Sequence, residues 1–341
     1  MPHPPADPWL DAFTLTLVAA SVWTWVYLLA RLWRRGHILA YEPRRPVPWG
    51  PLAALLAVIF VLVALSAAAT AEPPQPPPVL PNPLEAAQRI IGLIFSEVVL
   101  TGGALFVIAV LSRADQRDLG LPAYVDGFVR DVGIGSVACL AAIAPVYGVL
   151  ILVRYVHGQL EEPSHHPLVE MVTREPQLGV VFLASVAAVV VAPICEEIVF
   201  RLLLQGWLEK WEDARLGWRQ DKSNDEARMT NDECRMTNDE QSPRDDSSFV
   251  IRHSSFSCDQ PPSRGIAGLP YGWLPILISS VLFALAHFGY GPDPVPLFVL
   301  ALILGYVYQR THRIIPCMMT HALFNLVTML TLWRLVSLAP E

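Results

Sequence analysis

The sequence predicts an all-α fold, a polytopic bundle of about eight transmembrane helices. Hydrophobic residues make up 53% of the 341 residues, and charged residues make up only 16%. The mean hydropathy of +0.41 is too high for an ordinary soluble domain. The chain also contains a series of long apolar runs, most of them near the length of about 20 residues that a helix needs to cross a bilayer.

These runs define eight predicted spans. In chain order they are Ala12 to Ala30, Pro46 to Ala71, Ile90 to Ser112, Val132 to Val153, Gln177 to Leu208, Tyr271 to Tyr290, Val295 to Gln309 and Ile314 to Trp333. The first span is expected to remain in the mature protein, because its basic residues follow the apolar run and no small-residue cleavage site ends it. The fifth span is longer than a perpendicular crossing requires, so it must tilt, bend or protrude.

The placement of lysine and arginine predicts the orientation of the bundle. Basic residues concentrate in the connections after spans one, three, five and seven, and cytoplasmic loops carry such an excess. We therefore expect an integral protein of the plasma membrane with its N-terminus outside the cell.

Two units are predicted along the chain. Residues 1–177 supply four N-terminal transmembrane helices, and residues 178–338 form a core that a polar insert interrupts at about 209–265. Within the insert, the segment from Arg228 to Glu233 recurs from Arg235 to Glu240 without an apolar seam. The insert is therefore predicted to be a disordered cytoplasmic loop, and the proline-rich stretch from Glu72 to Pro83 an extended connector.

Composition also excludes several partners and sites. The net charge is -7 and no basic patch interleaved with aromatic residues occurs, so a nucleic acid partner is not expected. The five cysteines show no CxxC spacing, which argues against a disulfide framework or a zinc knuckle.

Span five contains three ionisable residues, Glu196, Glu197 and Arg201, directly after an uncharged run. Charges inside a bilayer are costly and usually mark a functional site. On a helix, Glu197 and Arg201 share one face, whereas Glu196 points about 100° away from Glu197. We expect Glu197 to pair with Arg201 and Glu196 to meet another group of the bundle. Glu97, in span three, is expected to face the bundle and pair with a polar neighbour rather than act in catalysis.

Two further polar pairs lie in apolar spans: Phe283 with His287, and His321 with Asn325. Each pair has i, i+4 spacing and therefore shares one helix face. A carboxylate with an imidazole suits a general base, and an imidazole with an amide suits hydrogen-bond donors to an oxyanion. The alternative is that these groups only hydrogen bond between helices. His287 lies about 24 Å and His321 only about 10 Å from the start of its span, so a tilt or a lower start of span six is needed to bring them level.

With these residues the chain resembles the CPBP family of intramembrane proteases. This family includes the type II CAAX prenyl endopeptidases, bacteriocin-processing proteins and lysostaphin resistance protein A-like proteins. Its signature of EExxxR, FxxxH and HxxxN or HxxxD is matched in order, over about residues 178 to 336.

The resemblance implies an endopeptidase that hydrolyses a membrane-associated protein or peptide, in CAAX-type or leader-peptide processing. Glu196 and His287 would activate water, and His321 and Asn325 would hold the oxyanion. The supporting residues would be Glu197, Arg201 and Phe283. The family is often described as metalloproteases, so Glu196, His287 and His321 could bind Zn²⁺ or another divalent metal. A metal-free glutamate mechanism is equally compatible with the sequence.

Two other functions compete with proteolysis. A proton-coupled membrane carrier would also place Glu, His and Arg in the membrane, although the internal symmetry typical of transporters is not visible. A catalytically silent membrane scaffold could recruit partners through the duplicated loop.

Overall fold

The computed structural model describes residues 8–43, 46–70, 82–122, 124–158, 167–174, 176–218, 261–289 and 294–338. Within these ranges the chain is helical and contains no β-strand, which confirms the predicted all-α class. The duplicated segments of the insert, and all but the last residues of the predicted proline-rich connector, lie outside the described residues.

The helices are labelled here in chain order. They are α1 (Pro8–Arg35), α2 (Leu52–Thr70), α3 (Pro83–Ser112), α4 (Val125–His157), α5 (Pro167–Arg174), α6 (Leu178–Leu216), α7 (Trp273–Ala286), α8 (Pro294–Thr311) and α9 (Ile314–Leu338). Among the described residues, six helices are long and apolar enough to cross a membrane, and α2 and α7 are shorter apolar helices. Each predicted span falls on one of these eight. The short helix α5 was not predicted, and it packs against α6 with Val172 buried.

Helix α3 begins earlier than the predicted start at Ile90, because its first turn is polar and capped. The side chain of Asn82 accepts a hydrogen bond from the backbone N–H of Glu85 at 3.2 Å, and Pro83 occupies the first helical position. Both are favourable at a helix N-terminus.

Helix α1 packs on α4 beside Pro145, a proline inside α4. Pro145 has no N–H to donate to the carbonyl of Ala141. The indole Nε1 of Trp25 donates to that carbonyl at 2.9 Å, and the N–H of Ala144 donates to Ser21 Oγ at 3.0 Å. The side chains of α1 thus replace a backbone bond that α4 cannot make itself.

A close approach fixes α9 against α4. A Cβ atom at Gly135 would lie 2.6 Å from Met319 Cβ and 2.7 Å from the carbonyl oxygen of Pro316, so a larger residue does not fit. Thr320 Oγ1 donates to the carbonyl of Gly135 at 3.1 Å. This contact sets the position of the segment of α9 that carries His321.

Helix α6 continues to Leu216, about two turns beyond the predicted boundary with the insert. The acidic residues of this extension are buried because they have partners. Glu212 accepts hydrogen bonds from the backbone N–H of Gly272 at 2.9 Å and of Ile266 at 3.3 Å, and Tyr271 donates to Asp213 at 2.5 Å. The start of α7 is therefore anchored to the far end of α6.

This anchoring explains how His287 reaches the level of Glu196 although it lies about 24 Å from the start of its predicted span. Glu196 and Glu212 are about 24 Å apart along α6, and Gly272 and His287 are about 22 Å apart along α7. Because Gly272 lies beside Glu212, α7 runs back along α6 and ends near the level of Glu196.

Candidate active site

The middle of α6 departs from regular α-helical geometry on both sides of the glutamate pair. Ala187–Val191 and Ile198–Gln205 are π-helical, and Ala192–Glu197 between them is α-helical. Such π-helical insertions are frequent at functional sites, because they rotate side chains out of the α-helical register. Here they flank Glu196 and Glu197.

Glu197 and Arg201 form the ion pair that their spacing predicted, and both side chains are fully buried. Arg201 Nε donates to Glu197 Oε2 at 3.1 Å. Arg201 Nη1 also donates to Ser279 Oγ on α7 at 2.8 Å, and Ser279 Oγ donates to the carbonyl of Phe200 at 2.9 Å. The pair therefore joins α6 to α7.

Glu197 also orients the imidazole of His321 on α9. His321 Nδ1 lies 2.9 Å from Glu197 Oε1, and a carboxylate can only accept, so Nδ1 donates. This bond turns Nε2 of His321 toward Glu196, with 4.0 Å between Nε2 and Glu196 Oε2. The side chain of His321 is buried, so its orientation is fixed by this contact and by packing.

His287 follows the last residue of α7 and approaches Glu196 from another side. Its Nδ1 lies 2.9 Å from the carbonyl oxygen of Phe283, which is an acceptor, so Nδ1 carries a proton. Nε2 then lies 3.8 Å from Glu196 Oε1. The ring of Phe283 packs against both imidazoles, with centroid distances of 5.0 Å to His287 and 5.8 Å to His321. The FxxxH spacing thus places an aromatic wall and a histidine in one turn.

The carboxylate of Glu196 therefore stands between two imidazole Nε2 atoms without a direct hydrogen bond to either. Distances of 3.8 and 4.0 Å exceed the usual range of about 2.7–3.2 Å. Glu196 Oε2 is buried and accepts no hydrogen bond from the described residues. A buried carboxylate oxygen is costly unless it is hydrogen-bonded, so this position favours a water molecule or a polar substrate group.

Asn325 shares a face of α9 with His321 but contacts a different part of α6. Its Nδ2 donates to the carbonyl of Ala188 at 2.7 Å. In the π-helical segment, Ala192 donates to Ala187, and the next donor in that register would be Pro193, which has no N–H. Asn325 thus supplies the donor that α6 lacks, about two turns before Glu196.

Glu97 on α3 is a neighbour of the site whose place the sequence did not reveal. It lies near enough to interact electrostatically with Glu196 and His321. An isolated acid in an apolar run carries no spacing signal, so only the packing of α3 on α6 could place it there.

The three residues that the resemblance offers as possible metal ligands lie close together but are not arranged as a metal centre. Among the described residues, no three His, Cys, Asp or Glu side chains are arranged so that they could hold a metal ion. Glu196, His287 and His321 contain the donor types that zinc uses, but as placed they do not fit the ion. The metal set stays a prediction from the sequence.

Comparison with known proteins agrees with the motifs. Residues 178–219 and 263–327 match the family model described as Type II CAAX prenyl endopeptidase Rce1-like. The matched segments carry all three motifs, lie on α6 to α9 and include none of α1 to α5. No curated protein and no solved structure matches the chain. The family match and the three motifs together show an integral membrane protein whose segments 178–219 and 263–327 are similar to the CPBP family.

Proposed function

We propose that the protein is an intramembrane endopeptidase that hydrolyses a peptide bond of a membrane-associated protein or peptide, using water activated by Glu196. The observation that supports this most strongly is the Glu196 carboxylate between the Nε2 atoms of His287 and His321, at 3.8 and 4.0 Å. One water molecule can lie within hydrogen-bonding distance of the carboxylate and an imidazole at this spacing.

In the proposed first step, the water oxygen attacks the carbonyl carbon of the substrate. Its proton passes to Glu196, or to the Nε2 of His287, which is free to accept because Nδ1 donates to Phe283. When the tetrahedral intermediate collapses, the same proton passes to the leaving amine. Protons balance within the site, and no other co-reactant is needed.

Two hydrogen-bond donors on α9 are proposed to stabilise the oxyanion of the intermediate. His321 in its protonated form donates through Nε2, while Glu197 accepts from Nδ1 and stabilises the imidazolium. Asn325 has two amide N–H groups, and one of them remains after the bond to Ala188. Arg201 holds the Glu197 carboxylate in place through the Nε hydrogen bond, so Glu197 and Arg201 support the site without touching the substrate.

The family match supports a substrate peptide that is held at the bilayer. We propose that this peptide is either a prenylated C-terminal tail or a leader peptide. We further propose that the protein resides in the plasma membrane with its N-terminus outside and the polar insert in the cytoplasm.

The test is cleavage of fluorogenic peptides by the purified full-length protein in lipid nanodiscs. A prenylated CAAX peptide, its unprenylated copy and a leader peptide would be compared. Glu196→Gln should lower turnover by about 10²–10⁴-fold, because it removes the base while preserving shape. Glu85→Gln, on the exposed first turn of α3, is the matched control.

Several outcomes would overturn the proposal. Turnover that survives in both Glu196→Gln and His287→Ala would reject the site, whereas the absence of cleavage by the wild-type protein would favour the carrier or the scaffold. The proposed mechanism also predicts turnover after removal of divalent cations, and a stoichiometric requirement for a metal would contradict it.

A further inference from the structure

A cavity lies away from the candidate active site, between α1, α4 and α8. Its volume is about 600 Å³, within the range of about 300–1,000 Å³ that ligand pockets occupy. Most of its wall is apolar, with side chains such as Trp25, Val137 and Ile303. Tyr27 and Val137 line it and are 55% and 42% exposed, so the cavity opens on the outer surface of the bundle, which faces lipid.

One end of this cavity is basic. Arg31 near the end of α1, Arg310 in the last turn of α8 and Arg130 near the start of α4 all line it. They therefore lie at the same end of the bundle. Arg130 is paired with Glu42, whereas Arg31 and Arg310 have no acidic partner among the described residues. The Nε atoms of Arg31 and Arg310 are buried and donate no hydrogen bond there.

A buried donor without an acceptor is costly, so the unsatisfied Nε atoms of the two arginines favour an anion at this end of the cavity. The rest of the cavity wall is mostly apolar and therefore suits an alkyl chain. An amphiphile whose anionic head meets the two arginines and whose chain follows the apolar wall satisfies both requirements. Basic pockets between transmembrane helices, at the cytoplasmic side, are known to suit anionic lipid head groups.

We propose that this cavity is a binding site for an anionic phospholipid of the surrounding bilayer. The phosphate lies between the guanidinium groups of Arg31 and Arg310, and an acyl chain occupies the groove between α1 and α4. The site is separate from the proposed catalytic residues. One face of α8 lines the cavity, and the carbonyl of Gly305 on α8 accepts a hydrogen bond from Gln205 of α6 at 2.8 Å. The bound lipid thus supports the helix against which α6 packs.

The experiment measures lipid binding to the purified full-length protein in detergent by native mass spectrometry and by thermal stability. Phosphatidylglycerol and phosphatidylcholine with identical chains are titrated. We expect phosphatidylglycerol to bind more tightly. The double variant Arg31→Gln/Arg310→Gln should lose roughly 30-fold in affinity for phosphatidylglycerol, since each basic residue near the membrane surface contributes about fivefold.

A matched control is available in the same helix. Arg34 and Arg35 lie in the last turn of α1 but do not line the cavity. Arg34→Gln/Arg35→Gln changes the net charge equally and should keep the preference for phosphatidylglycerol. Gly133→Leu fills the chain portion of the cavity, where an added Cβ meets nothing within 4 Å. This variant should weaken binding of both lipids while the helix remains intact.

Three results would overturn the proposal. These are an unchanged lipid preference in Arg31→Gln/Arg310→Gln, an equal loss in the control variant, and stabilisation by inorganic phosphate alone as large as that by phosphatidylglycerol. None of these readouts depends on proteolysis, so the lipid site and the proposed activity are tested separately.

Discussion

The bond between Asn325 and Ala188 allows a prediction that links the π-helical geometry of α6 to stability. Asn325 Nδ2 donates at 2.7 Å to a carbonyl that lacks a backbone donor because residue 193 is proline. Asn325→Ala removes the donor and leaves that carbonyl unsatisfied, so we expect a loss of about 1–3 kcal/mol in the free energy of unfolding.

The informative step is to repeat Asn325→Ala in a Pro193→Ala background. Alanine at position 193 restores an N–H that can donate to Ala188, so the cost of losing Asn325 should fall below about 1 kcal/mol. The difference between the two costs is the coupling energy of the double-mutant cycle.

Unfolding would be followed by circular dichroism of the purified protein in detergent. Thr331→Ala is the control, because Thr331 Oγ1 donates only to the carbonyl of Val327 within α9. That carbonyl keeps its own helical donor, so the control should cost little in either background. An equal cost of Asn325→Ala with and without Pro193 would refute the proposed replacement of the missing donor.

Three further predictions concern the core of the bundle and the site. Arg201→Gln removes the arginine partner of the buried Glu197 carboxylate, which then keeps only the hydrogen bond from His321, and should cost about 3–5 kcal/mol in chemical unfolding. Arg89→Gln, in a pair whose side chains are 66% and 52% exposed, should cost at most about 1 kcal/mol. Similar losses for the two variants would contradict the burial of the Glu197–Arg201 pair. Gly135→Ala pushes α4 away from α9 and should cost about 1–3 kcal/mol in thermal unfolding. Gly148→Ala is the control and should be tolerated, because a Cβ atom there meets nothing within 4 Å. If Gly135→Ala has no effect, the two helices lie further apart than described. His287→Ala should lower peptide turnover by about 10²–10⁴-fold without loss of helical content, and unchanged turnover would remove His287 from the mechanism.

Much of the fold could be predicted from the sequence, because apolar runs near 20 residues in length specify membrane helices directly. Two boundaries were predicted wrongly, one that is set by tertiary contacts and one that is set by a local helix cap. The extension of α6 to Leu216 contains several acidic residues and therefore reads as part of the polar insert in the sequence. These residues are buried in the fold because they have partners such as Tyr271 and the N–H of Gly272. The polar first turn of α3 was missed because Asn82 caps it locally.

The candidate active site also combines contacts that the sequence predicts with contacts that depend on how the helices pack. The pairing of Glu197 with Arg201 follows from i, i+4 spacing alone, and the structure confirms it. The separate contacts of His321 and Asn325 could not be predicted, because they depend on how the π-helical turns of α6 meet α9. The approach of Glu97 to Glu196 likewise depends on the packing of α3, for which a single acidic residue gives no pattern.

The central claim is that Glu196 activates water for peptide-bond hydrolysis. The most direct measurement is peptide cleavage in water enriched in ¹⁸O, with the wild-type protein and Glu196→Gln compared in the same nanodiscs. We expect one ¹⁸O atom in the new carboxylate of the wild-type product and no product above background with Glu196→Gln. Labelled product at the wild-type rate from Glu196→Gln would contradict it.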